Sequence, residues 1–349
     1  MSVFVALENH TPFMADEFVL PDGNGQEVLL IVLKASFEIA PNGLATLAPV
    51  QRELVLADEH RGEPGASSVV RDHDLALAKP FVDVLVEGSA HAPGGRPAGR
   101  VIVELGLGSL HKRVAVHGER SWMALEPGRP APFMSLPLTW ERAFGGEQDV
   151  RNPVGVGMGA DPRVPNIEDP RHPLVHRGQR PPPVGLGVVA RSWQPRAKWA
   201  GTYDDAWLGR RWPLLPDDYH ALHDQAAPED QRLEQLIGNE QGVIVNMRPG
   251  GGPWHFRVPR LDVPVHLLYR DRSEQTQLRV DTLELLPEAR ELILTARLLM
   301  PLPRNCVPLV QIDVGHLTPG CLRARASSKR HVDLRGLGGA DLSRPCFAP

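Results

Sequence analysis

Lysine is scarce in this sequence: Lys34, Lys79, Lys112, Lys198 and Lys329 are the only ones among 38 basic residues, and the rest are arginine. Against 42 acidic residues the formal charge is −4, and no run of five like charges occurs. A protein that neutralises a phosphate backbone needs a basic excess, so a general nucleic-acid binder is excluded. Cysteine is nearly as rare. Cys306, Cys321 and Cys346 are odd in number and form no CxxC pair, which excludes a disulfide scaffold and argues against a cysteine zinc site. Long apolar runs are missing too, since the longest, Val28 to Leu33, cannot span a bilayer. The opening residues carry no basic leader or small-residue cleavage site, so the expectation is a soluble cytoplasmic protein with no membrane partner. Walker-type GxxxxGK[ST], GxSxG and HExxH strings are all absent.

Proline and glycine, by contrast, are abundant, at 35 and 33 residues. Proline removes a backbone donor and glycine costs a helix about 1 kcal/mol relative to alanine, so bundles, coiled coils and helical solenoids are excluded. With 42% hydrophobic residues the chain is neither collagen-like nor disordered. The remaining class is a turn-rich, mainly β protein. Glu27 to Ile39 reads as a strand, with polar Lys34, Ser36 and Glu38 alternating at its end, then a turn at Pro41-Asn42-Gly43 and a return over Leu44 to Leu47. Phe81 to Ala90 reads as another strand. Arg100 to Leu107 and His111 to His117 form a hairpin across Gly108-Ser109. Later strands are expected at Val243 to Met247 and near 255–269, 276–286 and 290–300, the last two forming a second hairpin.

Between these groups, from about 120 to 216, periodicity disappears while proline and glycine stay dense and Trp140, Trp193, Trp199, Trp207 and Trp212 accumulate. Tryptophan buries large areas, so an ordered, irregular insert is expected. Residues 217–240 hold the best helical stretch, broken at Pro228. The domain expectation is a β region at 1–120, an insert with a short helix at 121–240, a second β region at 241–318 packing with the first as one two-layer, sandwich-like domain, and a loosely ordered tail at 319–349.

Chemistry-bearing motifs are weak. Gly155-Val156-Gly157-Met158-Gly159 lies between Asn152-Pro153 and Asp161-Pro162 instead of between strand and helix, so a turn is preferred to a nucleotide loop. His220 and His223, near Asp217, Asp218 and Asp224, have metal-compatible spacing, but a solvated polar face is the preferred reading, and Pro173 disrupts the His172 and His176 pair. Ser89 and Ser109 have no nucleophile context, and Cys306 reads as a small buried thiol. The pairs Glu168-Asp169, Asp204-Asp205 and Asp217-Asp218 beside tryptophans keep open a carbohydrate-active β-sandwich enzyme or glycan-binding protein, with Asp204, Asp205, Glu168 and Glu141 as leading carboxylates. In Trp140-Glu141-Arg142-Ala143-Phe144 the Glu and Arg are expected to pair at the edge of an aromatic core. No catalytic residue, metal site or cofactor is assigned.

Several blocks together resemble a known family. They are Lys79-Pro80-Phe81-Val82-Asp83-Val84-Leu85-Val86-Glu87-Gly88, Leu138-Thr139-Trp140-Glu141-Arg142-Ala143-Phe144-Gly145-Gly146 and Pro165-Asn166-Ile167-Glu168-Asp169-Pro170. Trp193-Gln194-Pro195-Arg196, Ala200-Gly201-Thr202-Tyr203-Asp204, Trp207, Pro213-Leu214-Leu215-Pro216-Asp217-Asp218-Tyr219 and Asp281-Thr282-Leu283 follow in order. Over roughly residues 20–310 the chain is similar to domain of unknown function family 2169, found in bacterial type VI secretion clusters. Gly238-Asn239-Glu240 departs from the more usual Gly-Asp-Glu. The resemblance implies a non-enzymatic cytoplasmic adaptor or chaperone that binds a secreted effector and helps load it onto the spike or PAAR-type tip. It carries Lys79, Asp83, Trp140, Glu141, Arg142, Asn166, Glu168 and Asp204 as motif residues. Interface hot spots favour tryptophan, tyrosine and arginine, so Trp199, Tyr203, Trp207, Arg210, Arg211 and Trp212 are the expected partner-binding residues.

Overall fold

The computed structural model describes residues 6–302 and 308–326. As expected the chain is mainly β: among the described residues 24 strands stand against two short α-helices, Asp205–Arg210 and Pro319–Ala326. Two compact units divide it. The larger holds residues 12–262 and 277–307, and the smaller holds the segment up to Thr11, residues 263–276 and the segment from Pro308.

The larger unit is built on a seven-stranded sheet. Its order is Arg232–Leu233, Val82–Val86, Arg279–Leu286, Glu291–Pro301, Glu27–Ile39 and Met14–Pro21, with Ala45–Leu47 pairing the end of Glu27–Ile39. Glu27–Ile39 has a ladder on each side, and everything from Val28 to Phe37 is buried, which accounts for its near-continuous apolar run. Lys34 and Ser36 are buried with it, so their alternation marks a covered polar face and not a solvated one. One pairing is parallel, between Thr282–Leu285 and Asp83–Val86.

A five-stranded sheet in the same unit runs Ile167–Glu168, Leu110–His117, Arg100–Leu107, Gln241–Val245 and Pro253–Arg257. The hairpin turns at Gly108, whose φ of 56° suits glycine. At Gly242 a side-chain carbon would lie 2.1 Å from the Phe256 ring, so only glycine lets that ring cross the strand. Both sheets join early and late segments of the chain in a sandwich-like body.

In the smaller unit Ala6–Asn9 pairs in parallel with Leu309–Val314, which pairs antiparallel with Pro264–Tyr269, and Ser273–Gln277 completes four strands.

Three expectations change. The strand read at 255–269 is two, Pro253–Arg257 and Pro264–Tyr269, in different sheets, because Pro259 and Pro264 interrupt the donors of a single ladder. Pro253–Arg257 lies in the larger unit and Pro264–Tyr269 in the smaller one. Residues 217–240 form two 3-10 turns, Ala221–Asp224 and Glu229–Gln231, and the short strand Arg232–Leu233, not a helix. His220 Nδ1 accepts from the Leu222 N–H, and Gln225 and Gln231 turn inward, completely buried, to bind other elements. Finally, the tail begins as the helix Pro319–Ala326, where Thr318 Oγ1 accepts from the Cys321 N–H. Residues 327–349 of the tail, with Cys346, and Cys306 lie outside the described residues.

Candidate functional site

Strand Val82–Val86 is buried throughout, yet its second residue is Asp83. A buried carboxylate must be paired and hydrogen-bonded. Lys79 Nζ donates to Asp83 Oδ2 at 2.8 Å and to Thr282 Oγ1 at 3.0 Å. The remaining acceptor capacity of Asp83 goes to the insert, through the backbone N–H groups of Ala226 and Ala227 and through Gln225 Nε2, at 2.8 to 3.0 Å. Gln231 adds two bonds, to the carbonyls of Val84 and Leu186. Lys79 and Asp83 therefore dock the end of the insert on the seven-stranded sheet.

A second anchor centres on Arg196, whose side chain is fully buried. Its guanidinium donates to the carbonyls of Val189 and His223 and pairs with Asp72 at 3.2 Å. Arg191 joins Asp72 to Asp224, at 3.2 and 3.1 Å. Burial pushes the Asp72 carboxyl up, but the charges of Arg196, Arg191 and Lys79 outweigh it and hold the group at about 2. Asp72 stays ionised wherever the protein is folded at ordinary pH.

Beside these, Lys34 pairs with Asp74 at 2.8 Å and lies 3.7 Å from Glu284. Arg297 donates to the Asp74 carbonyl and pairs with Asp281. Burial raises the carboxyls of Asp281 and Glu284, against the pull of Arg297 and Lys34 respectively. A cavity of about 50 Å³ lies among these groups. That is room for a water or two, not an organic substrate.

Held by these anchors, the insert carries an exposed lobe from Thr202 to Trp212. Asp204 caps the helix Asp205–Arg210 by accepting from the Trp207 N–H at 2.8 Å. None of the helix residues is buried. Trp207 Nε1 donates to the Leu214 carbonyl at 2.8 Å, and the Tyr203 ring meets its indole edge-on at 4.7 Å. Arg211 donates to the carbonyls of Leu215 and Gly23 and pairs with Asp217, which ties the lobe to the turn at Asp22–Gly25. Three large apolar side chains stand out on its surface beside Asp205 and Arg210: Tyr203 is 54% exposed, Leu208 59% and Trp212 65%.

The six expected partner-binding residues thus divide. Tyr203, Arg210 and Trp212 are exposed, whereas Trp207 and Arg211 are half-buried and hold the lobe together. Trp199 is half-buried against His220, with ring centroids 5.0 Å apart, under the Lys198 ammonium. Leu208 was not among them, because one leucine in an irregular stretch carries no periodic signal. Arg196 closes the segment Trp193-Gln194-Pro195-Arg196, but nothing in its spacing separates it from the other arginines.

Glu141 and Arg142 do not pair with each other. Glu141 accepts from the Ser68 N–H, while Arg142 pairs with Glu119 and bonds to Asn166, because successive side chains leave the backbone in different directions. Trp140 is buried, edge-on to Trp193. Asn166 donates to the His117 carbonyl, and Glu168 is buried in a pair with Arg120. Glu141, Glu168 and Asp204 each serve a different local bond set, and Asp205 sits exposed on the helix, so the four carboxylates do not converge. The metal-spaced residues disperse likewise: Asp217 binds Arg211, Asp218 binds Thr202, Asp224 binds Arg191, and His223 faces the Arg196 carbonyl. Gly155-Val156-Gly157 leads into no helix. Val156–Gly157 pairs with Phe144–Gly145 as a short strand, so the expected turn is a strand here, with turns at 153–154 and 159–160 on either side of it. No helix among the described residues is long and apolar enough to cross a membrane.

A family model described as an uncharacterized protein conserved in bacteria (DUF2169) matches residues 24–297. The chain belongs to this family. No curated protein and no solved structure matches it. The DUF2169 match takes in the Asp83 and Arg196 anchors and the whole exposed lobe, and it ends at Arg297.

Proposed function

We propose that the protein is a non-enzymatic adaptor or chaperone that binds a type VI secretion effector in the bacterial cytoplasm and helps load it onto the spike or its PAAR-type tip. The observation that carries this reading is the lobe, where a tyrosine, a leucine and a tryptophan stand more than half exposed on a scaffold fixed by caps and buried ion pairs. Rigid aromatic anchors lose little side-chain entropy on binding, which suits them to a docking face. Carboxylates occupied in local bonds are consistent with binding in place of catalysis. Affinity capture with the tagged protein from a strain carrying its neighbouring effector and tip genes tests the reading. Co-purification of effector or tip with the wild type, and its loss with Trp212→Ala, is the expected result. Capture of neither by the wild type overturns it.

A further inference from the structure

The smaller unit brings an early and a late segment of the chain side by side. In the parallel pairing of Ala6–Asn9 with Leu309–Val314, Glu8 stands in register with Asp313. Residues in register on neighbouring strands share a face of the sheet, and two like charges so placed destabilise it. The Asp313 side chain is fully buried, which keeps water from shielding its charge. His10 continues the ladder, its N–H donating to the Val314 carbonyl at 2.8 Å. Its Nε2 lies 2.8 Å from Asp313 Oδ1 and 4.0 Å from Glu8 Oε2. One imidazole nitrogen and two carboxylate oxygens thereby converge, all within 4.8 Å of one another. Ligand atoms about 2.1 Å from a tetrahedral metal stand roughly 3.4 Å apart, a spacing that the two His10 distances bracket. Neighbouring groups hold the three in place. Asn9 Oδ1 accepts from the Thr11 N–H and hydroxyl at 3.0 and 2.7 Å, which turns the chain directly after His10. Gln311 Nε2 donates to Asp313 Oδ1 at 3.2 Å and orients that carboxylate.

We infer that His10 Nε2 and the carboxylates of Glu8 and Asp313 bind a divalent transition-metal ion of the zinc class, which clasps Ala6–Asn9 to Leu309–Val314. An imidazole nitrogen beside two carboxylates suits zinc, whereas magnesium and calcium are bound through oxygen alone. On binding, the cation replaces the proton shared by His10 and Asp313, that proton leaves to solvent, and the two negative charges gain a doubly positive partner. Three protein ligands leave the fourth position of a tetrahedron to water. Glu8, His10 and Asp313 all lie outside residues 24–297, so the site is separate from the family match and from the adaptor reading.

Equilibrium dialysis of the full-length, chelator-stripped protein against zinc, followed by elemental analysis, tests the site. About one zinc per chain is expected, retained against a large excess of magnesium. His10→Ala and Glu8→Gln should each weaken binding by about tenfold or more, while His176→Ala, at an exposed position away from the site, leaves it unchanged. The His10 and Glu8 side chains are partly exposed, so both variants should fold, and far-UV circular dichroism verifies this. Cobalt(II) bound in place of zinc reports the donor set: weak visible bands of nitrogen and oxygen ligands are expected, without the thiolate charge-transfer absorption that binding to Cys306, Cys321 or Cys346 would give. Failure to retain zinc, binding unchanged in both His10→Ala and Glu8→Gln, displacement by magnesium, or a thiolate band overturns the assignment.

Discussion

Asp83 Oδ1 accepts from Gln225 Nε2 at 2.8 Å, joining the second residue of a buried strand to a position 142 residues later. The same carboxylate holds the Lys79 ammonium and two backbone N–H groups. One side chain thus fixes both a buried cation and the end of the insert.

Replacing it exposes that double duty. Asp83→Ala leaves Lys79 buried without its counter-charge and is expected to cost roughly 3–5 kcal/mol of stability. Urea denaturation measures the loss, and limited proteolysis should show new cleavage between about 187 and 231. A loss under about 1 kcal/mol would mean that Lys79 finds another partner.

The two lobe tryptophans are expected to part company. Trp212→Ala removes an exposed ring and should leave the melting temperature within about 2 °C while abolishing partner capture. Trp207→Ala loses the bond to the Leu214 carbonyl and the Tyr203 contact, and should render the lobe protease-sensitive. Equal effects of both on stability would contradict the division into anchor and contact residue.

Gly25 turns with φ of 76°, and a side-chain carbon there would lie 2.7 Å from Leu214 Cδ2. Gly25→Ala therefore combines a left-handed backbone with a displaced Leu214, at a cost of about 1–2 kcal/mol. Because Leu214 belongs to the base of the lobe, partner binding should weaken although the substitution touches none of the exposed rings. Unchanged affinity would show that the lobe does not depend on this turn.

Acid should destabilise the fold in two steps. Burial, with the charges of Arg120 and Arg100, lowers the pKa of His117 from 6.5 to about 3. Between those values the unfolded chain binds a proton that the folded chain refuses, so stability falls as pH drops through this window. Asp72 has its pKa lowered from 3.8 to about 2, so its contribution, about 2 kcal/mol, is complete above 3.8 and lost by about pH 2. Melting temperatures from about pH 8 to pH 3 measure the first step. His117→Gln should flatten the curve below pH 6.5, and an unaltered slope would assign it to other groups.

Much of the β framework was legible. The apolar run Val28 to Leu33 announces a strand, and Gly108-Ser109 and Pro287-Glu288-Ala289-Arg290 announce the two hairpins. What escaped depends on partners far along the chain. Lys34 looks like the polar side of an amphipathic strand until Asp74 and Glu284 close over it, and spacing along one strand carries no trace of either. The false helix at 217–240 has a related cause, since Gln225 and Gln231 favour a helix locally but gain more by binding Asp83 and Val84. The lobe was legible as a tryptophan-rich region, but the separation of Trp207 from Trp212 rests on a carbonyl seven residues away from the first.

The seven-stranded sheet also sets an order of events during synthesis. Glu27–Ile39 pairs along its length with Glu291–Pro301, and Val82–Val86 has Arg279–Leu286 as its parallel neighbour. Such pairings close very long loops, which slows folding. While the ribosome is still translating the insert, the most apolar strand of the chain lacks one of its two neighbours. The nascent protein must keep Val28 to Leu33 from aggregating until nearly the whole sequence has emerged.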